Sequence, residues 1–206
     1  MEKILLKDYS KICDGKFLKM YKATFAGTKG EKVYEIVSRK DSPEFLGAEN
    51  KVDAIKILPY LKKDGKIFVY LIREFRFPIA KQIYELPSGL VDEGEDPCDS
   101  ARRELLEEIG AVAKSVEKME TSAYSSAGMS DESLEFYIAE VDHFENQDLG
   151  ASEYIDVEEV ELEKLDDYLV KENFCALSKL QLRIFQLKME NLRLKDELKK
   201  LKSSKI

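Results

Sequence analysis

The sequence predicts an α/β fold. Short apolar runs separated by turn residues recur through the first two thirds of the chain. A strongly signalled helix from Asp96 to Gly110 falls between them, and from about Leu162 onward the chain is charged, helical in pattern and free of Pro and Gly. Strands interleaved with helices are the signature of a sheet covered by helices.

Taken in order, Phe17 to Phe25 and Val33 to Val37 are rich in aromatic and aliphatic residues and read as two strands. Gly27-Thr28-Lys29-Gly30-Glu31 supplies the turn between them. A polar link from about Asp41 to Lys51 follows. Ala54 to Leu58 and Ile67 to Ile72 are apolar runs joined by Lys62-Lys63-Asp64-Gly65-Lys66, a hairpin signal. Asp96 then offers a side-chain oxygen at an N-cap, and Pro97 stands in the first turn, where a missing N–H costs nothing. That helix runs to Ile109 and stops at Gly110, which suits the left-handed position past a helix end. Leu134 to Val141 is one more strand.

The 206 residues suffice for one full domain plus an appendage. A formal net charge of −8 argues against non-specific binding to nucleic acid or to an anionic membrane surface. Cys13, Cys98 and Cys175 are scattered, and His143 is the single histidine, so neither a disulfide framework nor a zinc site is expected. Charges break the N-terminal apolar run early and no stretch has the length of a membrane span, so a soluble, cytoplasmic protein is expected.

The chemistry is concentrated in Gly89-Leu90-Val91-Asp92-Glu93-Gly94-Glu95 and, seven residues later, Arg103-Glu104-Leu105-Leu106-Glu107-Glu108-Ile109-Gly110-Ala111. Cys98, Ala101, Leu105 and Ile109 make a buried stripe at helical spacing. Glu104, Glu107 and Glu108 stand at i, i+3 and i+4, on another face. Three like charges on one turn destabilise it unless a positive group neutralises them, and Arg103 does part of that. Oxygen ligands at this charge density suit Mg²⁺ or Mn²⁺, which accept substrate phosphates. The bland alternative is a solvated acidic helix face.

The whole spacing resembles the Nudix box: Gly, five residues, Glu, seven residues, Arg-Glu, an apolar residue, any residue, Glu-Glu, any residue, Gly, an apolar residue. Every fixed position is met, with Ala111 a small choice at the last. From residue frequencies, a chance match is on the order of one in a million. The resemblance implies a Nudix α/β/α sandwich, with an N-terminal antiparallel strand region at 1–50 used for dimerisation, a catalytic domain at 51–172 and a long C-terminal helix at 173–206. It implies metal ligation by Glu104, Glu108, Glu107 and the Ser88 carbonyl, with Glu95 and Arg103 orienting loop and helix.

The flanks resemble the ADP-ribose pyrophosphatases of that family. Arg73-Glu74-Phe75-Arg76-Phe77-Pro78 and Tyr84-Glu85-Leu86-Pro87-Ser88-Gly89 look like their approach to the box. Tyr124 to Glu132 is similar to their Ser-Pro-Gly loop, with Ala127 standing where the proline is usual. This implies that Arg76, Glu85 and Glu132 contact the substrate. The general base would come from the loop Gly150 to Asp156: Ala151 stands where the catalytic acid is expected, so Glu153 or the box residue Glu107 takes the proton. The activity so implied is Mg²⁺-dependent hydrolysis of ADP-ribose to AMP and ribose 5-phosphate. Its rivals are another nucleoside diphosphate sugar as substrate, or a non-catalytic ligand sensor.

In the C-terminal helix, Leu177, Ile184, Asn191 and Leu198 fall at heptad position a and Leu180, Leu187, Leu194 and Leu201 at d. Leu throughout d with one Asn at a is the pattern of a parallel two-stranded coiled coil. Glu190 and Glu197 at g face Lys195 and Lys202 at e of a partner helix; Arg183 opposite Lys188 does not fit. A second stripe, Leu182, Phe185, Met189 and Leu192, points to packing on the chain's own domain. Both together predict that the first turns touch the domain while the tail pairs, and a homodimer is expected.

Overall fold

Alternation along the strands sorts the core into two layers. In the computed structural model, β4 (Ala54–Lys63) and β5 (Lys66–Arg76) form a hairpin. Its turn residues Asp64 and Gly65 have φ of 52° and 75°, the two positive angles that match the twist of paired strands. Ile55, Ile57, Tyr70 and Ile72 cluster with Ala101, Leu105 and Ile109 of α1 (Pro97–Ile109). Leu58, Val69 and Leu71 point the other way and cluster with α2 (Leu165–Leu169) and α3 (Ala176–Ser203) through Leu165, Leu169, Leu182 and Phe185. On β9 (Ser133–Phe144), Tyr137, Ala139 and Val141 join the first cluster and Ile138 the second. Helices on both faces make this the expected α/β/α sandwich, and burial of both faces is why its central strands read as continuous apolar runs.

The sheet order is β10–β5–β4–β9–β8, with β8 at Ala111–Tyr124 and β10 at Ile155–Glu161. β6 (Lys81–Glu85) pairs with β5 and β7 (Ser88–Leu90) with β4. The structure describes residues 4–41, 52–150, 153–171 and 173–203, without the side chains of Glu120 and Thr121. The predicted link beyond Asp41 and the candidate position Ala151 lie outside the described residues.

The chain clusters into two compact units, Met1–Ala54 with Thr121–Glu135 and Ile55–Glu120 with Phe136–Ile206. The first unit holds an antiparallel sheet, β1 (Leu5–Asp14), β2 (Lys19–Gly27) and β3 (Gly30–Ser38), in that order. β2 and β3 match the two predicted strands. β1 is an addition: it is exposed almost throughout, so it carries no buried face to impose a period of two, and its pairing with β2 holds it. Within the same unit Val37 N–H donates to the Met129 carbonyl at 2.9 Å and Ser38 Oγ to Asp131 at 3.0 Å.

Helix α1 begins and ends where its caps predict. The Asp96 carboxylate accepts the Cys98 N–H at 2.8 Å, and Gly110 closes the helix at φ 67°. Asp96→Ala is therefore expected to cost about 1 kcal/mol, read as a lower urea midpoint with unchanged slope; an unmoved midpoint would show that the cap is idle. The predicted helix from Leu162 is interrupted. A 3-10 turn at Leu162–Lys164 leads into α2, and the link to α3 contains Asn173 at φ 60°. That link spends its backbone groups on β6 instead: Tyr84 N–H donates to the Asn173 carbonyl and Cys175 N–H to the Tyr84 carbonyl, both at 2.9 Å. Ser178 Oγ then accepts the Leu86 N–H at 3.0 Å, so the start of α3 is fastened to the strand that leads into the box. Among the described residues no helix is long and apolar enough to cross a membrane.

Candidate active site

The box folds as strand, loop and helix around one guanidinium. Arg103 donates Nε and Nη2 to the two oxygens of Glu95, at 3.1 and 3.0 Å, in the fork geometry that makes such pairs directional. Its Nη1 reaches Glu104 at 2.7 Å and Glu107 at 3.1 Å, and Nη2 also donates to the Leu90 carbonyl at 3.1 Å. Glu95 accepts in addition from Ser100 Oγ at 2.6 Å and Asp92 N–H at 3.3 Å. Hydrogen bonds from Arg103 and then Ser100 hold the Glu95 carboxyl down to about 2, so it stays ionised at any working pH. Gly89 is needed for contact rather than for its torsions: a Cβ there would overlap the Glu104 carboxylate. The loop between β7 and α1 is thus pinned, through Glu95 and Arg103, to the carboxylates of Glu104 and Glu107.

A second, buried network runs beneath the first. Lys56 Nζ donates to Glu85 at 3.2 Å, to the Leu86 carbonyl at 3.3 Å and to Ser88 Oγ at 3.2 Å. Lys56 and Glu85 are only 4% and 3% exposed. Arg76 pairs with the other oxygen of Glu85 and with Glu74 at 2.9 Å. Burial opposes the charge on Glu85, but the Arg76 hydrogen bond and the charges of Lys56 and Arg76 outweigh it and hold the carboxyl below its ordinary value. Ser88 N–H in turn donates to Glu108 at 3.0 Å. The order Glu74–Arg76–Glu85–Lys56–Ser88–Glu108 therefore links the predicted phosphate-binding arginine to the predicted metal ligands.

The donor set fits a divalent cation. Glu108 is nearly buried, and burial first, then the charges of Glu104 and Glu74, push its carboxyl well above the ordinary range against Ser88 N–H and Lys56. Glu104 is raised for the same leading reason, with Glu107 and Glu153 adding to it and Arg103 opposing. Carboxylates short of positive charge in partial burial are what a hard dication stabilises. Among the described residues no three acidic, His or Cys side chains already converge on one point; Glu104 and Glu107 turn to Arg103 instead.

The remaining predicted residues have hydrogen-bond partners of their own. Glu153 closes its own loop, its carboxylate accepting the Gly150 N–H at 2.8 Å, while its charge is felt at Glu104 and Glu74. Glu132 belongs to the first unit, where it pairs with Arg39 at 3.0 Å and accepts from Ser125 Oγ at 2.8 Å. Two participants were not singled out in the sequence. Lys56 carried a signal, a lone cation between Ile55 and Ile57 in an apolar run; Glu74 carried none beyond its place beside Arg73.

Comparison with known proteins gives the family and the fold. A family model for the NUDIX domain matches residues 50–179. A Caenorhabditis elegans protein named "Putative nudix hydrolase 2" is 31% identical over 165 residues, covering 77% of this chain and 72% of that protein. The ADP-ribose pyrophosphatase of Bacillus subtilis (strain 168) is 38% identical over 102 residues, covering 48% of this chain and 54% of its own, so that match spans about half of the relative. In fold, a crystal structure of an ADP compounds hydrolase superposes with a TM-score of 0.70 over 91% of this chain and 93% of that one, at 16% identity.

Proposed function

The chain belongs to the Nudix hydrolase family, and from that premise we propose that it hydrolyses the diphosphate of ADP-ribose to AMP and ribose 5-phosphate, with Mg²⁺ as cofactor and Mn²⁺ able to replace it. The observation that carries the reading is the unbroken chain of contacts from Arg76 to Glu108. It joins a guanidinium, whose planar fork matches phosphate oxygens, to the carboxylates of the box. The name of the Bacillus subtilis relative supports ADP-ribose as the substrate.

Each residue has a task in this scheme. Glu104, Glu107, Glu108 and the Ser88 carbonyl would hold the cation. When bound, it offsets the phosphate charge and makes water more acidic. Arg76, aimed by Glu74 and Glu85, grips a phosphate of the substrate. Arg103 keeps Glu104 and Glu107 on one side of α1. Water oxygen attacks one phosphorus, the bond from that phosphorus to the bridging oxygen breaks, and the bridging oxygen leaves with the other phosphate. The proton lost by the water goes to Glu153 or Glu107.

A phosphatase-coupled release assay tests the substrate. ADP-ribose, other nucleoside diphosphate sugars, dinucleoside polyphosphates and NADH are compared with Mg²⁺ and with Mn²⁺. The highest kcat/KM is expected for ADP-ribose, with no release in chelator. Preference for another sugar conjugate would replace the substrate while keeping the chemistry, and would assign the change to the loop where Ala127 stands in place of proline. Absence of turnover on the whole panel would favour the ligand-sensor reading.

A further inference from the structure

Helix α3 carries two apolar stripes, and the fold uses one of them. Ser178, Gln181, Leu182 and Phe185 are buried in the second unit, and Met189 packs beside them. On the other side Leu180, Ile184, Leu187, Leu194 and Leu198 are 47% to 64% exposed. At 3.6 residues per turn the two stripes point roughly 150° apart. From Glu190 to Ser203 every residue is exposed, a stretch of about 20 Å at the α-helical rise. Helices in water owe most of their stability to an apolar face packed on something, and Leu192, Leu194 and Leu198 in this stretch stay exposed.

We propose that α3 pairs with α3 of a second copy of this chain, as a parallel, in-register two-stranded coiled coil from Leu180 to Leu201. Leu180, Leu187, Leu194 and Leu201 occupy d, and Ile184, Asn191 and Leu198 occupy a. Leu177, the first a residue of the sequence pattern, is half-buried in its own unit and does not join. Asn191 at a is satisfied by its own counterpart across a parallel dimer and penalises any shifted register.

Charge complementarity selects the occupant and its direction. In a parallel pair each g residue faces the e residue five positions on in the other helix, so Glu190 meets Lys195 and Glu197 meets Lys202. In an antiparallel pair g meets g and e meets e, which would set Glu against Glu and Lys against Lys. The one mismatch of the sequence pattern, Arg183 at g against Lys188 at e, is eased within the chain. Arg183 pairs with Asp166 and donates to Gln186 at 2.8 Å, so its charge is already offset.

Cysteine scanning of the full-length chain tests this, starting from Cys13→Ser to remove the exposed native thiol. Leu198→Cys, at a, is expected to give mostly covalent dimer on mild oxidation, seen on a non-reducing gel at twice the 23.7 kDa chain mass. Asp196→Cys, on the outward f position, should give no more than the background. Adding Leu187→Glu with Leu194→Glu to Leu198→Cys should cut the crosslink at least about tenfold, since two charges at d empty the seam. These side chains are exposed in the single chain, so the fold does not depend on them. A dimer made elsewhere would not depend on heptad position. No crosslink at Leu198→Cys, equal crosslinking at Asp196→Cys, or a crosslink that survives the two glutamates would overturn the proposal.

Discussion

Glu104→Gln is expected to lower kcat on ADP-ribose by on the order of a thousandfold, corresponding to about 4 kcal/mol of lost transition-state stabilisation. The change is nearly isosteric, so the close approach of this side chain to Gly89 survives. Arg103 loses the charge of its partner at 2.7 Å, where an amide oxygen can still accept, and keeps the two-pronged pair with Glu95 and its contact with Glu107. The fold should therefore hold: surface-near ion pairs are worth only about 1 kcal/mol or less, and the Arg103 hub loses one of several. What the amide removes is a negative charge from a partly buried acidic cluster, and with it much of the attraction for a dication. The expected pattern is a large fall in turnover, a weaker Mg²⁺ dependence and a thermal midpoint close to that of the parent chain. Unchanged turnover would mean that the acidic face of α1 is only a solvated surface. Binding of ADP-ribose retained in a parent chain without turnover would point to the sensor instead.

That so much of this site was legible in the sequence reflects how local its parts are. The caps of α1 involve Asp96, Pro97 and Gly110, each beside the helix it ends, and the carboxylates at i, i+3 and i+4 share a face by helical geometry alone. The contact of Arg103 with Glu107, one turn away, belongs to the same class. Lys56 is different. Its partners Glu85, Leu86 and Ser88 come from the far side of a hairpin and from β6 and β7, and pairing order in a sheet is not written in any short window. Glu132 likewise meets Arg39 only because the first unit brings their segments together. Strands β1 and β10 escaped for a further reason. β1 is mixed in charge and exposed almost throughout, while β10 is acidic and buries Ile155 in one cluster and Val160 in the other, so neither shows a period of two. The break before α3 was hidden because nothing in its composition interrupts a helix; the backbone of β6 competes for its hydrogen bonds.

Lys56→Met should be the most destabilising of the single changes considered, by roughly 3–5 kcal/mol, the usual cost of breaking a buried ion pair from one side. The methionine replaces the lysine stem at similar volume, so little of the loss comes from packing. What is lost is the donor that serves Glu85, the Leu86 carbonyl and Ser88 Oγ together. Arg76 still compensates part of the Glu85 charge, which places the expectation at the lower end of that range. Lys62→Met is the control. Its ion pair with Glu140 at 3.4 Å is solvent-exposed on the lysine side, and its removal should cost about 1 kcal/mol or less. Combining Lys56→Met with Glu85→Gln should cost less than the sum of the two, because the amide no longer needs a cation in the core. Urea denaturation of the parent chain, the two single variants and the double variant closes that cycle. Kinetics add a separate reading: Ser88 loses its Lys56 contact, and Glu85, which holds Arg76, loses one of its two cations, so kcat and KM should worsen together. Equal effects at Lys56 and Lys62, or full additivity with Glu85→Gln, would show that the buried chain from Arg76 to Glu108 does not act as one unit.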